Sequence, residues 1–248
     1  MKTIFLVLLT CFSLQVLASD LGDRKEHIKK METKISKFAQ ERKARSEVIL
    51  SKYNLPINKS LPYIEDEHEA LVRTKEDVAN RALALLVVAV KAEGLEQDIV
   101  DSLVKSYELE KVLTPKEIRF INVKESSQHD KTQFIWRYEA AWVLLWSLGY
   151  VDALSYPNQI CDVSAAVKFM QQRSKEQFVN DSSLRPIREI LNEADLIYRY
   201  HWAVVDARVN GQPTPVEIDP SVVLERHYSL NWLIGYMEQE WDDISTDT

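Results

Sequence analysis

Apolar positions along this 248-residue chain follow the spacing of α-helices almost throughout. Residues 82–90 are all apolar, and the segment 132–148 is apolar on nearly every side, which is typical of helices inside a core. Near the start, apolar residues at helical spacing predict one long amphipathic helix over 24–53. No alternating run of strand length occurs. The pattern predicts an all-α, single multi-helix globular domain with a central buried helix near 132–148.

Local capping signals indicate where individual helices begin and end. The run Thr114-Pro115-Lys116-Glu117 combines a cap, a first-turn proline and a capping-box glutamate. Pro186 opens a predicted helix that continues to about Val209, and Asp219 opens another that continues to Tyr236. These signals favour helices joined by short loops.

The first 19 residues have the pattern of an export signal. Lys2 precedes an apolar run over 4–9, and small residues at Ala18-Ser19 suit cleavage by a signal peptidase. The run is shorter than the roughly 20 residues of a transmembrane helix. We therefore expect a periplasmic or secreted protein with no stable membrane span after cleavage near Ala18-Ser19.

Composition limits the remaining possibilities. Hydrophobic residues make up 46% and charged residues 28% of the chain, which is a globular balance. The net charge of −7 argues against nucleic acid as a partner, because such binding depends on neutralising phosphates. We expect a helical extension over 20–45 and one α-helical domain over 46–248. Once the leader is removed, Cys161 is the single cysteine, so no internal disulfide is expected.

One candidate for chemistry is Glu139, which shares a helix face with Trp142 and Trp146. A carboxyl group among indoles has a raised pKa and suits a general acid. The alternative is that Glu139 is buried and paired with Arg137, Arg199 or Arg226.

The helix after Pro186 carries a second candidate group. Asp195, Arg199, Trp202 and Asp206 form a charged line that either stabilises a solvated surface or faces a cleft. His201 lies across the helix on its apolar side.

The last predicted helix places Arg226 and His227 on apolar faces, next to Glu225 and close to Asn231. Such groups need partners, because an unpaired buried charge costs several kcal/mol. The available acids in this half of the chain are Glu139, Asp195 and Asp206. No two histidines lie four residues apart, and the few glycines exclude a phosphate loop or a dinucleotide fingerprint, so we expect no metal and no cofactor.

Several strings, taken in order, resemble a known family. They are Trp136-Arg137-Tyr138-Glu139, Cys161-Asp162-Val163, the run from Glu193 to Arg199, the run from Glu225 to Trp232 and the acidic ending from Trp241 to Thr248. Together they resemble the bacterial domain-of-unknown-function family 4272 over roughly 41–248. The resemblance implies one mostly helical domain that includes the acidic tail, and it implies no activity. Members of this family mostly lack a leader, so the export signal is a departure.

Two hypotheses about function remain open. The preferred one is an exported, non-catalytic protein that binds an unknown protein or a small ligand, as immunity proteins bind toxins. Its ligand-binding candidates are Arg137, Glu139, Trp142, Asp195, Arg199, Trp202, Asp206, Glu225, Arg226, His227 and Asn231. The alternative is a hydrolase-type enzyme in which Glu139 and either His201 or His227 act as an acid/base pair.

Overall fold

The computed structural model describes residues 35–215 and 218–248. The all-α prediction is confirmed, since the described residues form helices and loops without a strand. The predicted leader and its cleavage site lie outside the described residues. No helix in the described ranges is long and apolar enough to cross a membrane. The helices are α1 Lys37–Lys52, α2 Lys75–Glu93, α3 Gln97–Ser106, α4 Pro115–Asn122, α5 Gln128–Ile135, α6 Arg137–Ser147, α7 Val163–Gln171, α8 Lys175–Asn180, α9 Ile187–Val209 and α10 Pro220–Ile234, followed by 3₁₀ turns at Tyr236–Glu238 and Trp241–Asp243.

Helix α2 is buried along almost its whole length. It begins where the side chain of Thr74 accepts a hydrogen bond from the backbone N–H of Asp77, and it ends at Gly94, whose φ is +112°. Its apolar run is buried on every side and packs against α6 and α5. The core of the domain is therefore built around α2 and α6 together.

The predicted central helix over 132–148 is divided in the structure. Helix α5 ends at Ile135, α6 begins at Arg137, and Trp136 lies between them. Helix α5 begins at Gln128, four residues before the predicted start, and none of its residues is buried. Its side chains are mostly polar and stay in water, whereas α6 is apolar and enters the core. Burial of α6 confirms the central part of the prediction.

Helix α1 begins later than the predicted start of the long amphipathic helix. Ser36 has an extended backbone, with φ −70° and ψ 161°, and its side chain accepts a hydrogen bond from the N–H of Ala39. An N-cap of this kind ends any helix that arrives from upstream, so one continuous helix over 24–53 is wrong. The predicted portion before Ile35 lies outside the described residues.

Helices α9 and α10 pack against each other in the C-terminal half of the domain. Helix α10 contacts both α9 and α6, and α9 also contacts α1. The acidic ending packs against this group, since Trp241 is buried and Asn231 donates a hydrogen bond to the carbonyl of Ser245 at 2.8 Å. Helices α1, α6, α9 and α10 and the acidic ending thus pack together in one part of the domain.

Gly235 ends α10 under two constraints. Its φ is +71°, and a Cβ at this position would lie 2.6 Å from the carbonyl oxygen of Leu71. We expect Gly235→Ala to lower the free energy of unfolding by more than ~1 kcal/mol, which is the cost of left-handed backbone strain alone. The added loss arises because the backbone at Leu71 must also move.

Gly211→Ala is the matched control, because Gly211 has a φ of +63° and nothing within 4 Å of an added Cβ. Urea denaturation of both variants measures the difference. Equal losses of unfolding free energy would show that the contact with Leu71 is unimportant.

Candidate functional site

A buried ion pair joins α6 to α10. Glu139 is 1% exposed and Arg226 is 3% exposed. The Nε of Arg226 donates to Oε1 of Glu139 at 2.7 Å, and Oε2 of Glu139 accepts from the backbone N–H of Cys161 at 2.7 Å. Arg226 also donates through Nη1 to the carbonyl oxygen of Ser155 at 2.5 Å. The pair therefore holds the loop between α6 and α7 onto the helices.

Arg226 also lines a cavity. Its Nη2 is buried and has no hydrogen-bond partner among the described residues. The cavity has a volume of about 170 Å³ and lies between α1, α9, α10 and the loop 154–157. We call it the arginine cavity; its lining includes Arg45, Ile49, Tyr53, Leu154, Tyr156, Glu193, Leu196, Ile197, Tyr200, Arg226 and Leu230.

Three more polar groups of the arginine cavity are left without hydrogen bonds. The guanidinium of Arg45, the carboxyl of Glu193 and the hydroxyl of Tyr200 make no hydrogen bond or ion pair within 35–215 and 218–248. Burial raises the pKa of Glu193, and the positive charge of Arg45 opposes that rise. Burial likewise raises the pKa of Tyr200, so its phenol keeps its proton at neutral pH.

Tyrosines form one wall of the arginine cavity. The rings of Tyr53 and Tyr156 stack with centroids 4.0 Å apart, and Tyr156 meets Tyr200 edge to face at 5.8 Å. Tyr53 is 45% exposed and Tyr200 is buried, so the aromatic wall runs from the surface to the interior. Such a wall suits an apolar or aromatic ligand body.

A second pocket lies on the other side of the ion pair. It has a volume of about 270 Å³, and its lining includes Trp136, Tyr138, Glu139 and Cys161. Burial and the adjacent carboxylate of Glu139 both raise the pKa of the Cys161 thiol. The thiol is therefore neutral and a poor nucleophile. Since Glu139 lines this pocket and Arg226 lines the arginine cavity, the ion pair forms part of the partition between them.

Two other predicted groups form ion pairs of their own. Nη1 of Arg137 donates to Oε2 of Glu225 at 2.8 Å. Arg199 binds both oxygens of Asp195, at 2.9 and 2.7 Å, with almost no exposure of either side chain. The charged line on α9 is therefore neither solvated nor open to a cleft at these two residues.

The predicted histidines face each other. Nδ1 of His201 lies 2.8 Å from Nδ1 of His227, and both rings are buried. This hydrogen bond requires one Nδ1 to carry a proton and the other to accept it. Burial, together with the positive charge of Arg208, lowers the pKa of His201 to about 4. A hydrogen bond with the backbone of Thr246 opposes that shift.

The other predicted residues lie apart from the arginine cavity. Trp142 and Trp202 are half-buried, and Asp206 accepts a hydrogen bond from Asn210 at the surface. Asn231 holds the tail. Arg226 is the one predicted ligand-binding residue that lines the arginine cavity. In the described part of the chain, no group of three or more His, Cys, Asp or Glu side chains is placed to hold a metal ion.

Sequence comparison agrees with the resemblance described above. The sequence profile of a domain of unknown function, DUF4272, matches residues 42–244. The chain belongs to the DUF4272 family. Every residue that lines the arginine cavity lies within the matched part of the DUF4272 domain. No curated protein and no solved structure matches the chain.

Sequence reasoning missed most of the arginine cavity in this DUF4272 domain. Glu193, Leu196, Ile197 and Tyr200 follow the i, i+3, i+4, i+7 spacing of one helix face. The carboxyl of Glu193 at the start of this apolar face is a sequence signal from which the cavity wall on α9 could have been predicted. The approach of Arg45 from α1 has no counterpart in the sequence pattern, because it depends on how α1 packs against α9.

The histidine pair predicts a pH dependence of stability for the DUF4272 domain. The pKa of His201 is depressed in the folded state from an ordinary value of 6.5 to about 4, so protons bind more readily to the unfolded chain. The stability that the neutral ring contributes is present above about pH 6.5 and is lost as the pH falls towards 4. The loss amounts to roughly 3 kcal/mol at most.

Urea denaturation between pH 7 and 5 measures this loss. Most carboxyl groups titrate below that interval and so do not contribute. His201→Gln is expected to flatten the dependence of the unfolding free energy on pH in that interval. His129→Gln, at an exposed position of α5, is the control and should retain the slope. A slope that survives in His201→Gln would contradict the assignment.

Proposed function

We propose that this DUF4272 protein is an exported, non-catalytic binding protein whose arginine cavity holds a small organic anion. The observation that carries the proposal is that Arg226 and Arg45 both line the cavity, and that the buried Nη2 of Arg226 has no partner among the described residues. A buried donor left unsatisfied costs about 1–3 kcal/mol, and more when it is charged. A bound carboxylate would remove that cost.

The size and lining of the cavity define the class of ligand. A volume of about 170 Å³ is close to the engineered cavity of about 150 Å³ that holds one benzene molecule. Arg45 adds a second positive charge, while Ile49 and Leu230 supply apolar walls. These features suit a carboxylate attached to a small apolar body, because guanidinium groups bind carboxylates with matched geometry.

The contacts of Glu139 favour binding over the hydrolase alternative. Both of its oxygens already accept hydrogen bonds, from Arg226 and from the N–H of Cys161. The histidines are hydrogen-bonded to each other through Nδ1. A general acid or base must reach the proton that it transfers, within hydrogen-bond distance or through one water. Glu139 is instead committed to the guanidinium of Arg226.

Export rests on the leader pattern alone. The apolar run behind Lys2 and the small residues at Ala18-Ser19 support secretion or a periplasmic location. In that compartment a stable helical domain with one small cavity would capture a metabolite. Without a catalytic group at the cavity, the ligand would be released unchanged.

Titration calorimetry with 4-methylpentanoate and 3-phenylpropanoate tests the proposal. Arg226→Lys keeps the charge that pairs with Glu139 but removes the second guanidinium arm. We expect it to weaken binding at least tenfold, since hydrogen bonds to charged groups are worth about 1.5–3 kcal/mol. Arg199→Lys is the matched control, because Arg199 sits in an equally buried ion pair that does not line the cavity.

A second pair of variants tests the rim of the cavity. Arg45→Ala removes an unpaired surface charge and should weaken binding severalfold without lowering the melting temperature. Arg119→Ala, at an exposed position of α4, should change neither. The proposal is wrong if neither acid binds, or if Arg226→Lys and Arg199→Lys bind with the same affinity.

A further inference from the structure

The arginine cavity contains charges of both signs that do not pair with each other. Arg45 and Arg226 are cationic, and Glu193 is the acid among the lining residues. Within the described ranges, Glu193 lies beyond 4 Å of any cationic nitrogen, so it forms no ion pair. Arg45, Arg226 and Glu193 nevertheless line the same cavity, and the charges of both arginines lower the pKa of Glu193, as does that of Arg185 outside the cavity. A ligand with only a negative charge would leave the carboxyl of Glu193 without a donor.

Resting on the proposed function, we propose that the arginine cavity binds the zwitterion of an apolar α-amino acid. The guanidinium groups of Arg226 and Arg45 receive its carboxylate, the carboxylate of Glu193 receives its ammonium group, and the apolar wall receives its side chain. The ligand thus supplies an acceptor to the unsatisfied donors and a donor to the unsatisfied acceptor.

The carboxylate end depends on a guanidinium that is already oriented. Arg226 is held by Glu139 through Nε and by Ser155 through Nη1, which leaves Nη2 as the free arm. The hydroxyl of Tyr200 lines the same space and keeps its proton, so it is available as a further donor. Donors fixed in this way lose little side-chain freedom when a ligand binds.

The ammonium end depends on Glu193. Its carboxyl sits on α9, one helical turn before Ile197 and two turns before Tyr200. Desolvation disfavours its ionised form, and a cation brought next to it restores that form. Opposite charges interact more strongly in a partly buried site than in water. An ammonium group is therefore favoured here over a neutral hydroxyl of the same size.

The side-chain end is apolar. Ile49, Leu196 and Leu230 reach the cavity from three different helices, and Tyr156 adds an aromatic face. Among the residues that the structure describes, no further charged side chain lines this space. An acidic or basic ligand side chain would lose its hydration without gaining a partner, whereas an aliphatic or aromatic one is accepted.

Calorimetry with matched ligands separates this inference from the proposed function. L-Leucine is compared with 4-methylpentanoate, and L-phenylalanine with 3-phenylpropanoate, so each pair differs in the ammonium group. The protein is first dialysed extensively against buffer without amino acids. For at least one pair, we expect the amino acid to bind about tenfold more tightly than the acid that lacks the ammonium group, as for one charge-assisted hydrogen bond.

Glu193→Gln is the decisive variant. It should weaken binding of the preferred amino acid about tenfold and leave the matched acid nearly unchanged. Glu189→Gln is the control, because Glu189 lies one turn earlier on α9 and pairs with Arg185 outside the cavity. It should leave both affinities as in the wild type.

The possible failures are distinguishable. If the acids bind as tightly as the amino acids and Glu193→Gln changes neither, the zwitterion inference is wrong and anion binding stands. If neither the acids nor the amino acids bind, both proposals are wrong. Loss of all binding in Glu193→Gln with an unchanged melting temperature would also contradict a role confined to the ammonium group.

Discussion

The buried contact between Glu139 and Arg226 is the interaction on which the rest of this half of the domain depends. Each ion loses several kcal/mol of hydration when it is buried, and the loss is recovered only with good geometry and further hydrogen bonds. Here the N–H of Cys161 and the carbonyl of Ser155 supply those bonds. Removal of either partner would leave a lone buried charge, at a cost of about 3–5 kcal/mol. The loop between α6 and α7 is therefore tied to α6 at Cys161 and to α10 at Ser155.

Buried ion pairs also occur elsewhere in the fold. Nη2 of Arg81 lies 2.6 Å from both oxygens of Glu117, which also completes the capping box of α4, and Arg199 binds Asp195 within α9. Cys161 is a free cysteine, so these contacts, and not a disulfide at Cys161, fix the neighbouring segments. Buried ion pairs add little net stability but penalise alternative packings. The pair at Arg226 has an additional consequence, because Arg226 also lines the arginine cavity.

One ion pair thus accounts for both the proposed activity and the preference against catalysis. Glu139 and Ser155 hold the guanidinium of Arg226 in a single orientation, so its free arm is ready for an anion. The same contact occupies the carboxylate that a hydrolase would need as an acid or base. A rigid, pre-oriented cavity with unpaired donors and one unpaired acceptor is suited to recognition of a small molecule.

Local chemistry allowed much of the helical architecture to be predicted from the sequence. Caps at Thr114 and Asp219 act within one turn, and so their helices begin where the sequence indicates. Burial of ionisable groups on apolar helix faces was also foreseeable, because spacing alone assigns a residue to a face. The junction at Trp136 was not, since α5 and α6 both pack on α2 and differ in how deeply they are buried, with no breaker residue between them.

The partners of the buried charges were decided by the tertiary structure. Spacing left Arg137, Arg199 and Arg226 equally available to Glu139, and the crossing of α6 and α10 selected Arg226. The arginine cavity joins Arg45 to Glu193 across nearly 150 positions of the sequence, through the packing of α1 on α9. The sequence by itself determined helices, caps and which faces are apolar, because those depend on neighbours within a few residues. Which charges meet, and which remain free to bind a ligand, depends on how distant helices pack.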